Sequence, residues 1–402
     1  MALAKDQRTE VRMKQRFRKW IERLFPPPIQ PLTPGVFHWQ TPPDSPRPHR
    51  LHLRIEPDGQ GLLLLDASTV LHLNQTATEF AYHRILGTPA EEVARQIAKR
   101  YQVSENQALA DYRTFLERLE SLLNTPDLDP EIFLDLERRP PFQEPLSAPL
   151  RLDCALTYRT EDESIRRVAP VERVRRELIF EEWQKCLQKA WNAGIPHIIF
   201  TGGEPTLRPD LIDLIAYIES LGMVSGLLTS GLRLVEKEYL DRILASGLDH
   251  VMIVLDPLNE ISWEAIRDTL AADLAVTVHL TITQGNQETL LNLIERLSRM
   301  GVARISLSAT HTQLSEALQK ARDHVARLGM HLVWDLPVPY SHLNPVALEL
   351  SKGMEPPPQG AGIAWLYVEP DGDVLPYQGA STVLGNLLTD SWDVIWERAK
   401  QR

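Results

Sequence analysis

The chain has 402 residues, of which 43% are hydrophobic and 24% charged, and its formal net charge is -11. This length exceeds what one ordinary hydrophobic core supports, so two or three domains are expected. The negative charge argues against general nucleic-acid binding. Two cysteines, Cys154 and Cys186, are too few for a disulfide framework or a four-cysteine zinc site.

Residues 1–25 form the first predicted element, a basic amphipathic helix whose apolar face spans residues 9–25. Such a helix contacts an anionic membrane surface or an acidic partner, or packs on the body of its own protein. The sequence has no apolar run of about 18 residues and no apolar signal-peptide core. We therefore expect a cytoplasmic protein, with membrane contact limited to residues 9–25.

The next segments alternate between linkers and compact units. Residues 26–50 are rich in proline and are predicted to be a linker without regular structure. Residues 51–123 predict a small sheet followed by three helices, and residues 124–149 predict a second linker. The predicted helix N-caps are Asn74, Thr88 and Ser104.

From residue 150 to 339, strand-like and helical patterns alternate, which predicts repeated βα units around a parallel sheet or barrel. Functional sites of such folds lie beyond the carboxyl ends of the strands. Residues 340–402 predict a small appendage with a hairpin and a terminal helix. The residues expected at the strand ends are Cys154, Gly202, Gly203, Glu204, Pro205, Ser230 and Asp256.

The βα array with "TGGEPTL" after its second strand resembles the radical SAM superfamily. That resemblance implies a partial (β/α)6-type barrel and a [4Fe–4S] cluster, held by cysteines spaced C-x3-C-x2-C, that binds S-adenosylmethionine. If Cys154 is the first position, the other two fall on Tyr158 and Glu161, which are not plausible cluster ligands. Cys154 is then a remnant of the cluster motif, and no cofactor is expected.

By the same resemblance, S-adenosylmethionine would contact Gly202, Gly203, Glu204 and Pro205, together with Ser230 and Asp256 at the next strand ends. Two of these ends differ from the family pattern. The usual Thr-Asn-Gly is Thr229-Ser230-Gly231 here, and the usual Ser-x-Asp-Gly is Val254-Leu255-Asp256-Pro257. The polar groups that hold the cofactor are therefore expected to be partly lost.

The tail is similar to the SPASM or twitch extension of peptide-modifying radical SAM enzymes. The matching residues are Gly360, Gly362, Asp371-Gly372, Pro376, Gly385-Asn386 and Ile395-Trp396. Both cysteine positions of that extension are replaced, by Gln359 and Tyr377. The resemblance therefore implies the scaffold of the extension without its auxiliary cluster.

Residues 51–123 resemble PqqD-like domains, which are winged-helix-like α+β units that recognise peptides. The match rests on Leu73-Asn74, Thr76-Ala77 and the "GTPAEEVA" stretch. In that family a leader peptide adds a strand to the small sheet and packs on the last helix. The residues expected to bind the peptide are Val70, Leu71, His72, Leu73, Tyr112 and Leu116.

Together these features predict a catalytically degenerate radical-SAM-like protein that binds a peptide or partner protein, in the context of ribosomal peptide maturation. The alternative is an active radical SAM peptide-modifying enzyme with atypical cluster ligation, including a cluster shared between two subunits. A metal-free enzyme that uses the barrel mouth is a further alternative. The peptide and the oligomeric state are not predicted.

Overall fold

The computed structural model describes residues 30–42, 45, 49–66, 69–125, 146–161, 168–272, 274–334, 336–344 and 360–401. The predicted helix over 9–25, most of the second linker and Gln359 lie outside these residues. No helix among the described residues is long and apolar enough to cross a membrane.

A four-stranded sheet opens the described chain. Its strands are β1 (Gly35–Gln40), β2 (Arg50–Ile55), β3 (Gly61–Leu65) and β4 (Thr69–Leu73), in the order β1-β2-β3-β4. The prediction that residues 26–50 hold no regular element is wrong because β1 lies within them. The prolines flank this strand, at Pro34 and Pro42, and none interrupts it.

Three helices follow, α1 (Gln75–Ile85), α2 (Ala90–Tyr101) and α3 (Glu105–Asn124). Asn74 and Ser104 cap α1 and α3 as predicted, because their side chains accept hydrogen bonds from Ala77 N and Gln107 N. The predicted cap at Thr88 is wrong, since α2 begins one residue later, after Pro89, without a side-chain cap.

The described chain divides into two compact units. One contains α1, α2 and α3 with Ile55–Leu62, and the other contains Gly35–Arg54, Leu63–Leu71 and everything described from residue 146 onward. The strands of the small sheet are thus divided between the two units. The domain boundaries predicted from the sequence stay predictions.

The second unit is built on a parallel sheet with six βα repeats. Its strands are β5 (Arg151–Thr157), β6 (His197–Gly202), β7 (Val224–Thr229), β8 (His250–Val254), β9 (Ala275–Ile282), β10 (Arg304–Ala309) and β11 (His331–Leu332), each parallel to its neighbours in sequence order. The connecting helices are α4 (Phe180–Asn192), α5 (Leu211–Ser220), α6 (Lys237–Ala245), α7 (Glu260–Leu270), α8 (Leu290–Arg299) and α9 (Ser315–Arg327). The predicted partial barrel is confirmed.

The alternation of side chains along β5 separates two layers of the barrel. Leu152, Cys154 and Leu156 belong to the large core that also contains Trp183 and Cys186 of α4. Ala155, on the opposite face of the strand, belongs to a different cluster. Both cysteines are fully buried in the core between the sheet and its helices.

The tail extends the barrel sheet. Strand β12 (Trp365–Val368) pairs in parallel with β5, and β13 (Asp373–Leu375) and β14 (Gly385–Asn386) follow as antiparallel neighbours. Helix α10 (Trp392–Lys400) ends the described chain. The predicted hairpin and helix are present, but the sequence did not predict that the hairpin joins the barrel sheet through β12.

A buried hydrogen-bond network joins the exit of β5 to the tail. Tyr158 Oη donates to Glu369 Oε1 at 2.9 Å, and Arg173 donates to the same oxygen and to the carbonyl of Ala380. The Tyr158 ring also meets the Tyr340 ring edge-on, with 5.5 Å between ring centroids. Tyr158 is 5% exposed, so it is a core residue that anchors the tail.

We expect Glu369→Ala to lower the free energy of unfolding by about 3 kcal/mol, because it leaves the Tyr158 hydroxyl and the Arg173 guanidinium without their acceptor. Tyr158→Phe should cost about 1 kcal/mol, since the ion pair persists. Urea denaturation followed by tryptophan fluorescence measures both. Glu397→Ala, which removes an exposed partner of Lys400 on α10, is the control and should change little. Equal midpoints for Glu369→Ala and this control would contradict the structural role of Glu369.

Candidate functional site at the barrel mouth

The Gly202-Gly203 turn is shaped by a close crossing of two chain segments. Gly203 N donates to Thr157 O at 2.8 Å, and Glu204 N donates to Arg159 O at 2.7 Å. A Cβ on Gly202 or Gly203 would overlap one of these carbonyl oxygens, and Gly202 also has a φ of +122°. Glycine is therefore required at both positions, and the ends of β5 and β6 are locked together.

Glu204 is a buried carboxylate with all of its hydrogen bonds made inside the protein. It is 3% exposed and accepts from Thr206 N (3.0 Å), Thr206 Oγ1 (2.6 Å), Thr229 Oγ1 (2.7 Å) and Ser230 N (2.8 Å). Four donors occupy most of the lone pairs that a carboxylate offers. Glu204 thus ties the end of β6 to the end of β7, and this geometry gives no support to a role as general acid or base.

Glu161 extends from the loop after β5 to the end of β7. Its Oε1 accepts a hydrogen bond from Ser230 Oγ at 2.9 Å. Partial desolvation and the nearby charge of Glu204 raise the pKa of Glu161 to about 7, although the side chain remains exposed to solvent. The Arg233 guanidinium acts in the opposite direction, but it donates to Thr206 O and lies 4.0 Å above the ring of Tyr239.

These strand ends surround a cavity of about 350 Å³, which we call the mouth cavity. This volume is within the range of small-molecule sites. Its walls come from the ends of β5, β6, β7 and β8 and from the segment after β11. The lining residues are Thr160, Glu161, Val168, Gly203, Glu204, Ser230, Leu232, Val254, Asp256, Asn259, Ser262, Pro339, Tyr340, Ser341, His342 and Leu343.

The structure brings four of the predicted strand-end residues to the mouth cavity: Gly203, Glu204, Ser230 and Asp256. Gly202 and Pro205 do not line it. Residues 339–343, which follow β11 in an irregular segment without a motif, also line the cavity and were not predicted to do so. Asn259 and Ser262 were not predicted either, although an Asn just before a helical pattern is a typical N-cap signal. Asn259 does cap α7, by accepting from Ile261 N.

Cys154 was predicted at the strand end as a remnant of the cluster motif, and this prediction is wrong. The residue is inside β5, and its side chain faces the helix-side core, away from the mouth cavity. Tyr158 is buried in the core as well. A cysteine triplet with the spacing C-x3-C-x2-C that faces the mouth cavity would begin after the last residue of β5, Thr157. If it starts at Thr160, which lines the cavity, the remaining positions are Ser164 and Arg167, which are outside the described residues.

The donor set does not fit the [4Fe–4S] cluster that the resemblance implies. The whole sequence holds two cysteines, and both are buried in the core. Burial raises the pKa of the Cys154 thiol well above its usual range and that of Cys186 to about 12. Metal ligation needs thiolates, which both environments disfavour. Among the described residues, no three His, Cys, Asp or Glu side chains are grouped to hold a metal ion.

The predicted peptide-binding residues fall on two elements, β4 and α3. On β4, Leu71 and Leu73 are buried, whereas Val70 is 37% exposed and His72 is half-buried. On α3, Tyr112 is 2% exposed and stacks near Phe80, and Leu116 packs on the same helical core. Tyr112 is therefore a core residue in this structure, and Val70 is the most exposed of the six.

The raised pKa of Glu161 predicts a pH dependence of stability. Its value of about 7 exceeds the ordinary 4.5, so the folded state binds this proton more tightly than the unfolded state. The resulting stabilisation is complete below about pH 4.5 and is lost as the pH rises through 7. We expect Glu161→Gln to reduce the fall in Tm between pH 5 and pH 7.5, as measured by scanning calorimetry. Glu264→Gln, an exposed residue of α7, is the control, and parallel profiles for all three proteins would refute the effect.

Comparison with known proteins agrees with this architecture. Residues 154–328 match the Radical SAM superfamily, and residues 61–122 match the family of coenzyme PQQ synthesis protein D (PqqD). A Streptomyces rochei protein named PqqA peptide cyclase is 31% identical over 248 residues, which are 53% of this chain and 65% of that protein. The match thus spans just under two thirds of that relative. A Bradyrhizobium diazoefficiens protein of the same name is 28% identical over 301 residues, 67% of this chain and 72% of that protein.

Among solved structures, Streptococcus suis SuiB bound to precursor peptide SuiA has the same fold, with a TM-score of 0.53 and 14% identity over 84% of each chain. The superfamily match implies the use of S-adenosylmethionine and a [4Fe–4S] cluster, so it does not support the prediction of no cofactor. The resemblance and the fold class predicted from the motifs are confirmed. The chain is thus similar to the radical SAM superfamily over residues 154–328 and to PqqD over residues 61–122, with the PqqD match preceding the radical SAM match.

Proposed function

We propose that this chain binds a leader-like peptide by strand addition at β4, as part of ribosomal peptide maturation, and that its barrel works without a [4Fe–4S] cluster. The proposal of peptide binding rests on the position of β4 in the small sheet. In the order β1-β2-β3-β4 it is an end strand, and no further strand follows it among the described residues. An end strand presents backbone groups on which a peptide can form main-chain hydrogen bonds.

The comparisons support this choice of ligand. The PqqD match covers β3, β4 and all three helices α1, α2 and α3. The relatives are named for cyclisation of the peptide PqqA, and the SuiB structure holds its precursor peptide SuiA. These peptides belong to those proteins. For this chain we propose the shared class, a short precursor peptide.

The side chains of β4 provide a basis for specificity. Leu71 and Leu73 are buried, while Val70, between them in the alternation of the strand, is exposed. A peptide strand paired with β4 would place alternate side chains next to Val70 on this exposed face. Main-chain bonds would supply affinity, and the apolar contact with Val70 would favour an apolar residue in the peptide.

The proposal that the barrel works without a [4Fe–4S] cluster rests on the metal-ligating side chains that the chain offers. A [4Fe–4S] cluster that leaves one iron open for substrate needs three thiolates. This chain holds two cysteines in all, and both are enclosed in a core that disfavours ionisation. Hydrogen bonds from Thr229 and Ser230 to Glu204 join the turn after β6 to the end of β7 within the protein.

A second candidate function is an active peptide-modifying radical SAM enzyme with atypical cluster ligation. The names of the relatives favour it, since both are called peptide cyclases. In that case non-cysteine residues would have to complete the ligand set. The amount of iron that each chain binds distinguishes this candidate from a barrel that works without a cluster.

Peptide binding at β4 is tested with a substitution that removes one backbone N–H of this strand. We expect Val70→Pro to raise the Kd for a fluorescein-labelled PqqA peptide, the peptide for which the relatives are named, by roughly tenfold or more. Val70→Thr keeps the N–H and the strand propensity, and its Kd should stay within about threefold of the original protein. Fluorescence anisotropy gives the Kd, and circular dichroism verifies the fold of each variant. Equal affinity of the proline and threonine variants would exclude strand addition at β4.

Anaerobic reconstitution with iron and sulfide tests the proposal that the barrel holds no [4Fe–4S] cluster. We expect well under one iron per chain and no thiolate-to-iron absorbance, because too few accessible thiolates are present. About four irons per chain with that absorbance would refute the proposal and favour the active enzyme. In that event, Cys154→Ala and Cys186→Ala would show whether either thiol holds the cluster. This result is independent of peptide binding at β4.

A further inference from the structure

We propose that residues 336–344 form a strap that closes the interior of the barrel to outside molecules, and that this strap opens without unfolding of the barrel. The strap follows β11 and has no helix or strand of its own. Most of its residues, 339–343, also line the mouth cavity. The inference concerns the inner face of the barrel sheet and is independent of peptide binding at β4.

The strap crosses the barrel from one end of the strands to the other. β11 pairs with the first residues of β10, so it lies at the amino ends of the strands, and Val333 N donates to Ile305 O there. Further along the chain, Tyr340 N donates to Gly202 O at 2.7 Å, at the carboxyl end of β6. Three strands, β7, β8 and β9, separate β6 from β10 in the sheet. The strap therefore spans the sheet and does not follow its edge.

The contacts of Leu336 show which face of the sheet the strap crosses. Leu336 packs against one fully buried residue from each of three neighbouring strands, Ile199, Leu228 and Met252. The residues next to these three along their strands, such as Phe200 of β6, belong to the helix-side core. Side chains alternate between the two faces of a strand, so the three residues point into the barrel interior. The strap thus covers the inner face of the barrel.

Hydrogen bonds and one aromatic contact hold the strap at the mouth. Val338 O accepts from Asn344 Nδ2 of the strap and from Gln378 Nε2 of the tail, each at 2.8 Å. Tyr340 is 1% exposed, and its ring meets that of Tyr158 edge-on. A molecule that enters the interior has to displace the strap from these contacts. The strap is therefore an autoinhibitory contact, and any ligand of the interior binds with an affinity reduced by the fraction of open protein.

The strap is held more weakly than the strands that it covers. Pro337 and Pro339 have no N–H, so this stretch cannot pair along its length as a further strand. Leu336 is only partly buried, whereas the inner-face residues beneath it are fully buried. Segments with few backbone hydrogen bonds open at a lower free energy than core strands. Opening of the strap therefore requires less free energy than unfolding of the barrel.

Thiol labelling measures access to the inner face. Met252→Cys places a thiol under the strap, and Cys154 and Cys186, both buried in the helix-side core, report unfolding of the barrel in the same molecule. The probe is N-ethylmaleimide, and mass spectrometry of peptides separates the three thiols. We expect the thiol at position 252 to react at least roughly tenfold faster than the two native cysteines, and at least roughly tenfold more slowly than in the urea-unfolded chain.

Gln378→Ala removes a hydrogen bond that holds the strap and leaves the inner face unchanged. We expect the thiol at position 252 to react about fivefold faster in this variant, with the rates of Cys154 and Cys186 unchanged. Gln287→Ala, at an exposed position after β9, is the control and should change none of the three rates. Leu228→Cys provides a second inner-face position if circular dichroism shows that Met252→Cys impairs folding.

Three results would overturn the proposal. If the inner-face thiol reacts as slowly as Cys154 and Cys186, the interior opens only when the barrel unfolds. If it reacts as fast in the folded protein as in the unfolded chain, the strap closes nothing. If Gln378→Ala changes all three rates equally, or none of them, the hydrogen bond to Val338 does not hold the strap.

Discussion

The buried carboxylate of Glu204 determines the geometry of the barrel mouth. A carboxylate that is 3% exposed costs several kcal/mol to desolvate unless donors replace its water. Here backbone and hydroxyl donors from the turn after β6 and from the end of β7 replace that water. The Gly-Gly crossing then fixes the exit of β5 against the same turn. The positions of Thr160, Glu161 and Ser230 around the cavity follow from these two constraints.

Because these bonds are internal, the mouth does not need a metal to hold its shape. Just after β5, Tyr158 packs in the same cluster as Ala155 and Tyr340, and hydrogen bonds to Glu369 and Arg173 connect this cluster to the tail hairpin. The loop after β5 is thus anchored at its start by packing and hydrogen bonds. A [4Fe–4S] cluster would need thiolates supplied by the protein, whereas the residues of this loop that line the mouth cavity are Thr160 and Glu161.

Two separate features bear on function: an end strand in the small sheet, and an acidic cavity at the barrel mouth. Strand addition depends on backbone groups and needs little from side chains, so β4 can accept a peptide with few specific residues.

The sequence by itself determined the partial barrel, the helix caps at Asn74 and Ser104, and the scarcity of cysteine, because periodicity, capping residues and composition are local properties. Only the tertiary structure decided which way each side chain points. The one-residue alternation of β5 puts Cys154 in the helix-side core, so a spacing argument alone assigned it to the wrong segment. The pairing of β12 with β5 and the arrival of residues 339–343 at the cavity are contacts between distant parts of the chain, which no local pattern encodes. The strand within the proline-rich segment was missed for the same reason, since its stability comes from pairing in the small sheet.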